Sequence, residues 1–279
     1  MTRMAVYAGS WYQGTDPKLR ESLGRCFTGE LGPGRLPEGG PGSSRSLKAL
    51  VAPHAGHVYS GQAAAHSYLS LYEDGRPEHI VILGPNHTGM GARLAVCNED
   101  WETPLGIVRF DHTLGTAIVE ENEYARNDCV AHGREHSIEI QLPFLQYIFG
   151  EELSFVPICV TDQSWKVVQS IGETLAKLAN EMDIMVIASS DFTHFESAES
   201  ARRKDNQSME YLELLDAKGF LEFVQGHRFS ICGAGPIAAA TLFAKGRGAS
   251  HFEVLAYTNS GDITGDHSSV VAYVSAKIV

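Results

Sequence analysis

No apolar run in this chain approaches the roughly 20 residues a membrane span requires, so a transmembrane helix is not expected. The opening residues, MTRMAVYAGSWY, hold no apolar stretch of the kind that marks a signal peptide. Cysteine is scarce: there are five, an odd number with no close pairing. That spacing argues against a disulfide framework and for a reducing, cytoplasmic location. Positive charge is also in short supply, with 22 Lys and Arg against 34 Asp and Glu and a net charge of −12. Such a surface repels phosphate backbones and anionic lipid, so neither nucleic acid nor a membrane is an expected partner. Gly84, Gly89 and Gly91 cluster, but no GxGxxG or Walker pattern follows a strand, which disfavours a nucleotide site. No GxSxG elbow is present, which disfavours a serine hydrolase.

What is present is an ordinary globular composition, 43% hydrophobic and 20% charged over 279 residues, enough for a full core without staples. The stretch 28–46 is rich in Gly, Pro and Ser and reads as a loop. It lies too near the start to divide two domains, so residues 1–279 are expected to form one domain. Short continuous apolar runs, Lys48–Ala52, His79–Leu83 and Ile184–Ala188, alternate with helical patterns. The helices are predicted over 17–26, 61–72, 113–121, 165–180, 198–215, 217–225 and 233–244. A further helix is predicted over 133–149, kinked or broken by Pro143. Additional strands are predicted over 93–98, 154–160, 252–257 and 269–276, with a turn at Thr103–Gly106. The fold class is therefore α/β, with a mixed, mostly parallel central sheet and an antiparallel edge within 93–110.

The reactive residues fall at the ends of these runs. The first leads into Pro53-His54-Ala55-Gly56-His57, the second into Gly84-Pro85-Asn86-His87, and the third into Ser189-Ser190-Asp191-Phe192-Thr193-His194. Parallel strands would gather these segments at one sheet edge, where α/β proteins bind ligands. Cys232 lies where a helix starts, which favours a thiolate. His136 and Glu139 are three apart and could share a helix face, the carboxylate setting the imidazole tautomer. Two imidazoles and one anionic ligand make a metal site with open positions: His54 and His87 with either Cys232 or Asp191. The other cysteines, Cys26, Cys97, Cys129 and Cys159, read as small buried apolar residues. The remaining histidines read as ordinary, His57 and His267 being the least readily dismissed. The basic run Arg202-Arg203-Lys204 reads as a solvated helix face.

At VAPHAGHVYSG (51–61), ILGPNHTG (82–89), EHSIEIQLPFL (135–145), SSDFTHF (189–195) and ICGAGPI (231–237) the chain resembles the Memo family, whose prokaryotic members are called AmmeMemoRadiSam system protein B. The likeness runs over nearly the whole chain. It implies an α/β/α sandwich, similar in fold to the catalytic subunit of class III extradiol dioxygenases, with a metal pocket at the sheet edge. It implies metal ligands His54, His87 and Cys232, an acid–base role for His194, and Asp191 and His136 lining the same pocket. Ring-cleaving relatives carry a carboxylate where this chain has Cys232, so the shared fold does not carry the reaction over. The family association implies iron or copper, with zinc also acceptable to these ligands, and redox or oxygenase-like chemistry on a small-molecule substrate. Two other readings stay open: a protein- or peptide-binding module using the same pocket and, from the His, His and Cys ligand chemistry with His194 or Glu139 as base, a zinc-dependent hydrolase. A functional link to radical-SAM and AMMECR-type proteins is implied by the prokaryotic name, and a homo-oligomeric state stays open.

Overall fold

The computed structural model describes residues 1–150 and 152–279. In chain order the strands are β1 (Thr2–Arg3), β2 (Ala49–Ala52), β3 (His79–Pro85), β4 (Leu94–Val96), β5 (Asp100–Thr103), β6 (Gly106–Phe110), β7 (Ala125–Asn127), β8 (Ser154–Val160), β9 (Ile184–Ser189), β10 (His194–Glu196), β11 (Phe252–Asn259) and β12 (Val270–Ile278). The helices are α1 (Asp16–Thr28), α2 (His57–Asp74), α3 (His112–Glu121), α4 (Leu142–Phe149), α5 (Trp165–Leu178), α6 (Ala198–Glu213), α7 (Ala217–His227), α8 (Ala234–Gly246) and the short α9 (Gly261–Thr264). The sheet runs β1-β5-β6-β8-β3-β9-β2-β12-β10, and β11 also pairs with β12. From β6 through β8, β3 and β9 to β2 every pairing is parallel. The β5–β6 pair and the pairings of β12 are antiparallel. The sheet is thus mixed: parallel from β6 to β2, antiparallel at β5–β6 and around β12, and parallel again where β1 joins β5.

The three apolar runs become β2, β3 and β9 because each is buried on both faces. Alternate residues serve opposite layers, as the two-residue period of a strand requires. Leu50, Ile80, Ile82 and Ile187 pack with α1, α2 and α4 through Leu23, Tyr68 and Phe144. Val51, Val81, Leu83 and Val186 pack on the other side with α5 and α8 through Ile171 and Ile237. Two helical layers therefore clamp one sheet. Among the described residues no helix is long and apolar enough to cross a membrane.

Two expectations fail. Residues 133–138 are not helical; a 3-10 turn at Glu139–Gln141 leads into α4, which starts at Leu142 with Pro143 in its first turn. Proline fits there, since the first N–H groups of a helix have no intrahelical partner anyway. And Cys97 and Cys129 are not separate apolar fillers. β4 and β7 pair in parallel, which brings the residues following each strand together, and the two thiols form a disulfide with Cα atoms 4.4 Å apart. Cys26, Cys159 and Cys232 are free thiols.

Candidate metal centre

Because β2, β3 and β9 are parallel neighbours, the segments after them meet at one edge. His54 follows β2, His87 follows β3, and Asp191 follows β9. The loop before α4 approaches the end of β3 and delivers His136. That approach depends on Gly84, where any Cβ would collide with Ser137 and Ile138. The ligand atoms of His54, His87 and His136 lie within 4.8 Å of one another. Ring centroids are 5.3 Å apart for His54 and His87, 5.2 Å for His54 and His136, and 4.5 Å for His87 and His136, the last pair stacked.

Two of these histidines, His54 and His87, are held from behind through Nδ1, which leaves Nε2 facing the cluster. His87 Nδ1 lies 2.8 Å from Glu135 Oε1, and His87 N–H donates to Glu135 Oε2 at 2.6 Å. Burial pushes the Glu135 carboxyl up, but its bonds with His87 and with backbone N–H groups outweigh this and hold it at about 2. An ionised carboxylate only accepts, so Nδ1 of His87 carries a proton and Nε2 is the nitrogen left to face a ligand. His54 Nδ1 lies 2.9 Å from Ser189 Oγ. The hydroxyl proton of Ser189 goes to the carbonyl of Ser137 at 2.6 Å, which only accepts. Gln141 Nε2 donates to Ser189 Oγ at 2.8 Å. The hydroxyl therefore accepts from His54 too, which fixes the Nδ1–H tautomer and frees Nε2. Tyr68 donates to Gln141 Oε1 at 2.6 Å and sets the orientation of that amide. His194 follows the same rule: Nδ1 donates to the carbonyl of Ser230 at 2.8 Å.

The site disfavours positive charge on its own imidazoles. Burial, and then the neighbouring His87, lowers His54 to about 3. Burial, and then His54, lowers His136 to about 3. Both are neutral near pH 7, the form that binds metal. Cys232 approaches through His54, its Sγ 3.2 Å from Nε2, and accepts the Asp191 N–H at 3.3 Å. Burial, and then Asp191, pushes this thiol up. Asp191 Oδ1 accepts the N–H groups of His54 at 2.7 Å and Ala55 at 3.3 Å, and burial pushes its carboxyl up.

The structure thus brings together His54, His87, His136, Asp191 and Cys232, with His194 on the wall of the same cavity. The mutually close set is the three histidines, with Cys232 against one of them. Glu139 does not serve His136. It is buried and takes hydrogen bonds from Arg3 Nη1 at 2.6 Å, Val6 N at 3.2 Å, Tyr7 N at 2.8 Å and Tyr12 Oη at 2.7 Å. It fastens the segment carrying Trp11, whose ring lies 4.2 Å from that of His136. Glu135, four residues earlier, does orient a histidine, but the one it holds is His87 and not His136. The basic run does not line the cavity: Arg202 lies over the Tyr257 ring, Arg203 bonds Ser200, and Lys204 pairs with Glu196.

Fold and site together define an α/β protein with helices on both faces of its sheet and a histidine-lined centre able to hold a metal. The model of the Memo-like protein family matches residues 3–277, and the chain belongs to this family. It is 45% identical over 278 residues to a MEMO1 family protein of Methanopyrus kandleri, covering 99% of this chain and 98% of that one. It is 38% identical over 280 residues to one from Nitrosopumilus maritimus, covering 100% of both chains. The crystal structure of an uncharacterized Escherichia coli K12 protein shares the fold, with a TM-score of 0.59 at 15% identity over 84% of this chain and 100% of that one.

Proposed function

We propose that this chain is a non-haem metal-dependent enzyme with redox or oxygenase-like chemistry, working with iron or copper at His54, His87 and the residues beside them. The convergence of three histidines, two of them with the far nitrogen tied to an acceptor, carries this reading. The donor set fits: imidazole nitrogens beside a thiol suit iron, copper or zinc and do not suit magnesium or calcium. His54, His87 and either His136 or Cys232 would hold the ion. A bound iron or copper ion would supply one-electron chemistry and an open position for a small ligand. The protein's own residues do the rest. Glu135 and Ser189 aim the ligating nitrogens. His194, with its proton on Nδ1, offers Nε2 to take a proton from a substrate in the cavity. Asp191 holds the His54 backbone in place. Trp11 covers His136 and limits water at that side.

The exposed side chains of Val58 and Tyr59 at the cavity give the second reading, a protein- or peptide-binding module, its own support. Anaerobic purification with metal analysis separates these readings. Wild type should hold near-stoichiometric iron or copper, and His54→Ala should lose it. Cys232→Ser reports whether the thiol or His136 completes the set. Stoichiometric zinc with hydrolysis and no dependence on oxygen would select a zinc hydrolase instead. Metal retained in His54→Ala would sink the proposed centre.

A further inference from the structure

The three histidines open into a cavity of about 700 Å³. Its walls include the rings of Trp11, Tyr59 and Tyr273 and the side chains of Val58 and Val271. Val58 is 66% exposed and Tyr59 42%, an apolar lip that no other part of the described chain covers. Apart from histidines, the ionisable groups with a short charged side chain on this wall are Asp191 and Asp266. No Lys or Arg lines it among the described residues. Asp191 is 4% exposed; its Oδ1 takes both backbone N–H bonds, and Oδ2 carries no hydrogen bond among the described residues. Asp266, exposed on the loop after α9, likewise uses Oδ1 for both bonds, from the Ser268 N–H at 2.9 Å and the Ser268 hydroxyl at 2.6 Å. Each carboxylate keeps an oxygen for a ligand.

We propose that this cavity binds an organic cation bearing an aromatic ring, an arylalkylamine in its ammonium form, and discriminates against the corresponding anions. The ring finds aromatic walls, and the ammonium group finds carboxylate oxygens and ring faces. With the metal removed, an anion in this cavity meets a buried carboxylate at Asp191, an exposed one at Asp266 and no Lys or Arg, so rejection is built in along with attraction. The basic run of α6 is committed elsewhere, to Tyr257, Ser200 and Glu196. The inference rests on the proposed reading that this cavity is the ligand site of the metal centre.

Calorimetric titration with four compounds sharing one phenol ring provides the test: tyramine, tyrosol, 4-hydroxyphenylacetate and O-phosphotyrosine. It is run on the protein as purified and after chelation of metal. Tyramine should bind at least about tenfold more tightly than 4-hydroxyphenylacetate in the chelated protein, with tyrosol between them and O-phosphotyrosine weakest. Asp266→Asn, a change at an exposed position, should bring tyramine and 4-hydroxyphenylacetate to within about threefold. Equal or tighter binding of either anion, an unchanged ratio in Asp266→Asn, or no binding of any of the four at millimolar concentration would overturn the proposal. Failure of the metal reading shows separately, as absent metal or as metal retained in His54→Ala, and leaves the charge preference standing or falling on its own titrations.

Discussion

The two ends of the central strands use buried polar groups in opposite ways. At the amino ends, Asp74 accepts from Ser44, from the N–H and hydroxyl of Ser46, from Leu47 N–H and from Arg45. Arg45 also makes a two-pronged bond to Asp183, at 2.9 and 2.7 Å. Burial pushes Asp74 up, but these donors outweigh it and leave the carboxyl below its ordinary value. At the carboxyl ends, imidazoles face one another with lone pairs left over, and burial leaves Asp191 above its ordinary value. One end is saturated and holds the chain together. The other is held from outside by Glu135 and Ser189 and left unfinished towards the cavity. Buried polarity alone does not mark a site; several ligand atoms with unused lone pairs gathered within reach of one another do.

The sharpest way to break this contrast is to cut one group at each end. Asp74→Ala strips Arg45 and four other donors of their acceptor and should cost about 3 kcal/mol of stability, as removal of one partner from a buried pair does. Denaturant unfolding reads the loss, and metal content per folded molecule should not change. A drop in metal content would mean that the two ends are coupled. Glu135→Gln should do the reverse. It keeps the shape but weakens the hold on His87, and should reduce metal affinity about ten- to hundredfold, the usual effect of an outer partner. Competition with a chelating dye measures it; an unchanged affinity would show that Glu135 only supports the loop.

A separate expected effect concerns pH. His57 and His132 are buried, each with Nε2 donating to a carbonyl, of Ile140 at 3.0 Å and Ala95 at 2.9 Å. Each Nδ1 is left without a partner. Burial lowers both to about 4, against an ordinary value near 6.5. The unfolded chain therefore takes up protons that the folded chain refuses. Stability should be full above about pH 6.5 and fall as pH drops towards 4, by about 1.4 kcal/mol per pH unit for each histidine. Urea midpoints at pH 7.5 and 5.0 check this, and a flat profile would show that neither ring stays neutral in the folded state.

Much of this was legible in the residues, for physical reasons that differ element by element. β2, β3 and β9 were visible because strands buried on both faces need uninterrupted apolar runs, and the following histidines came with them. Asp191 and His194 followed from the third run. Glu135 was not legible. The spacing of His136 and Glu139 suggested one helix face, but Pro143 sits in the first turn of α4 and the preceding residues turn instead. Which carboxylate reaches His87 is then decided by how closely the loop packs on Gly84, a tertiary fact. The Cys97–Cys129 bond was equally hidden, since it depends on β4 and β7 becoming neighbours. Ser189 was present in the motif, but only hydrogen-bond accounting shows what it does.

The cavity wall has a consequence for how the protein is made. Trp11 sits on one side of the histidines, and Val271 and Tyr273, on β12, sit on another. Residues from near both extremes of the sequence therefore enclose groups from its middle. A chain emerging from the ribosome can display His54 and His87 long before β12 exists to pair with β2. Until that pairing closes, the imidazoles have no enclosed cavity around them. Ligand selection by the finished walls is thus a late event in biogenesis, reserved for the completed and folded chain.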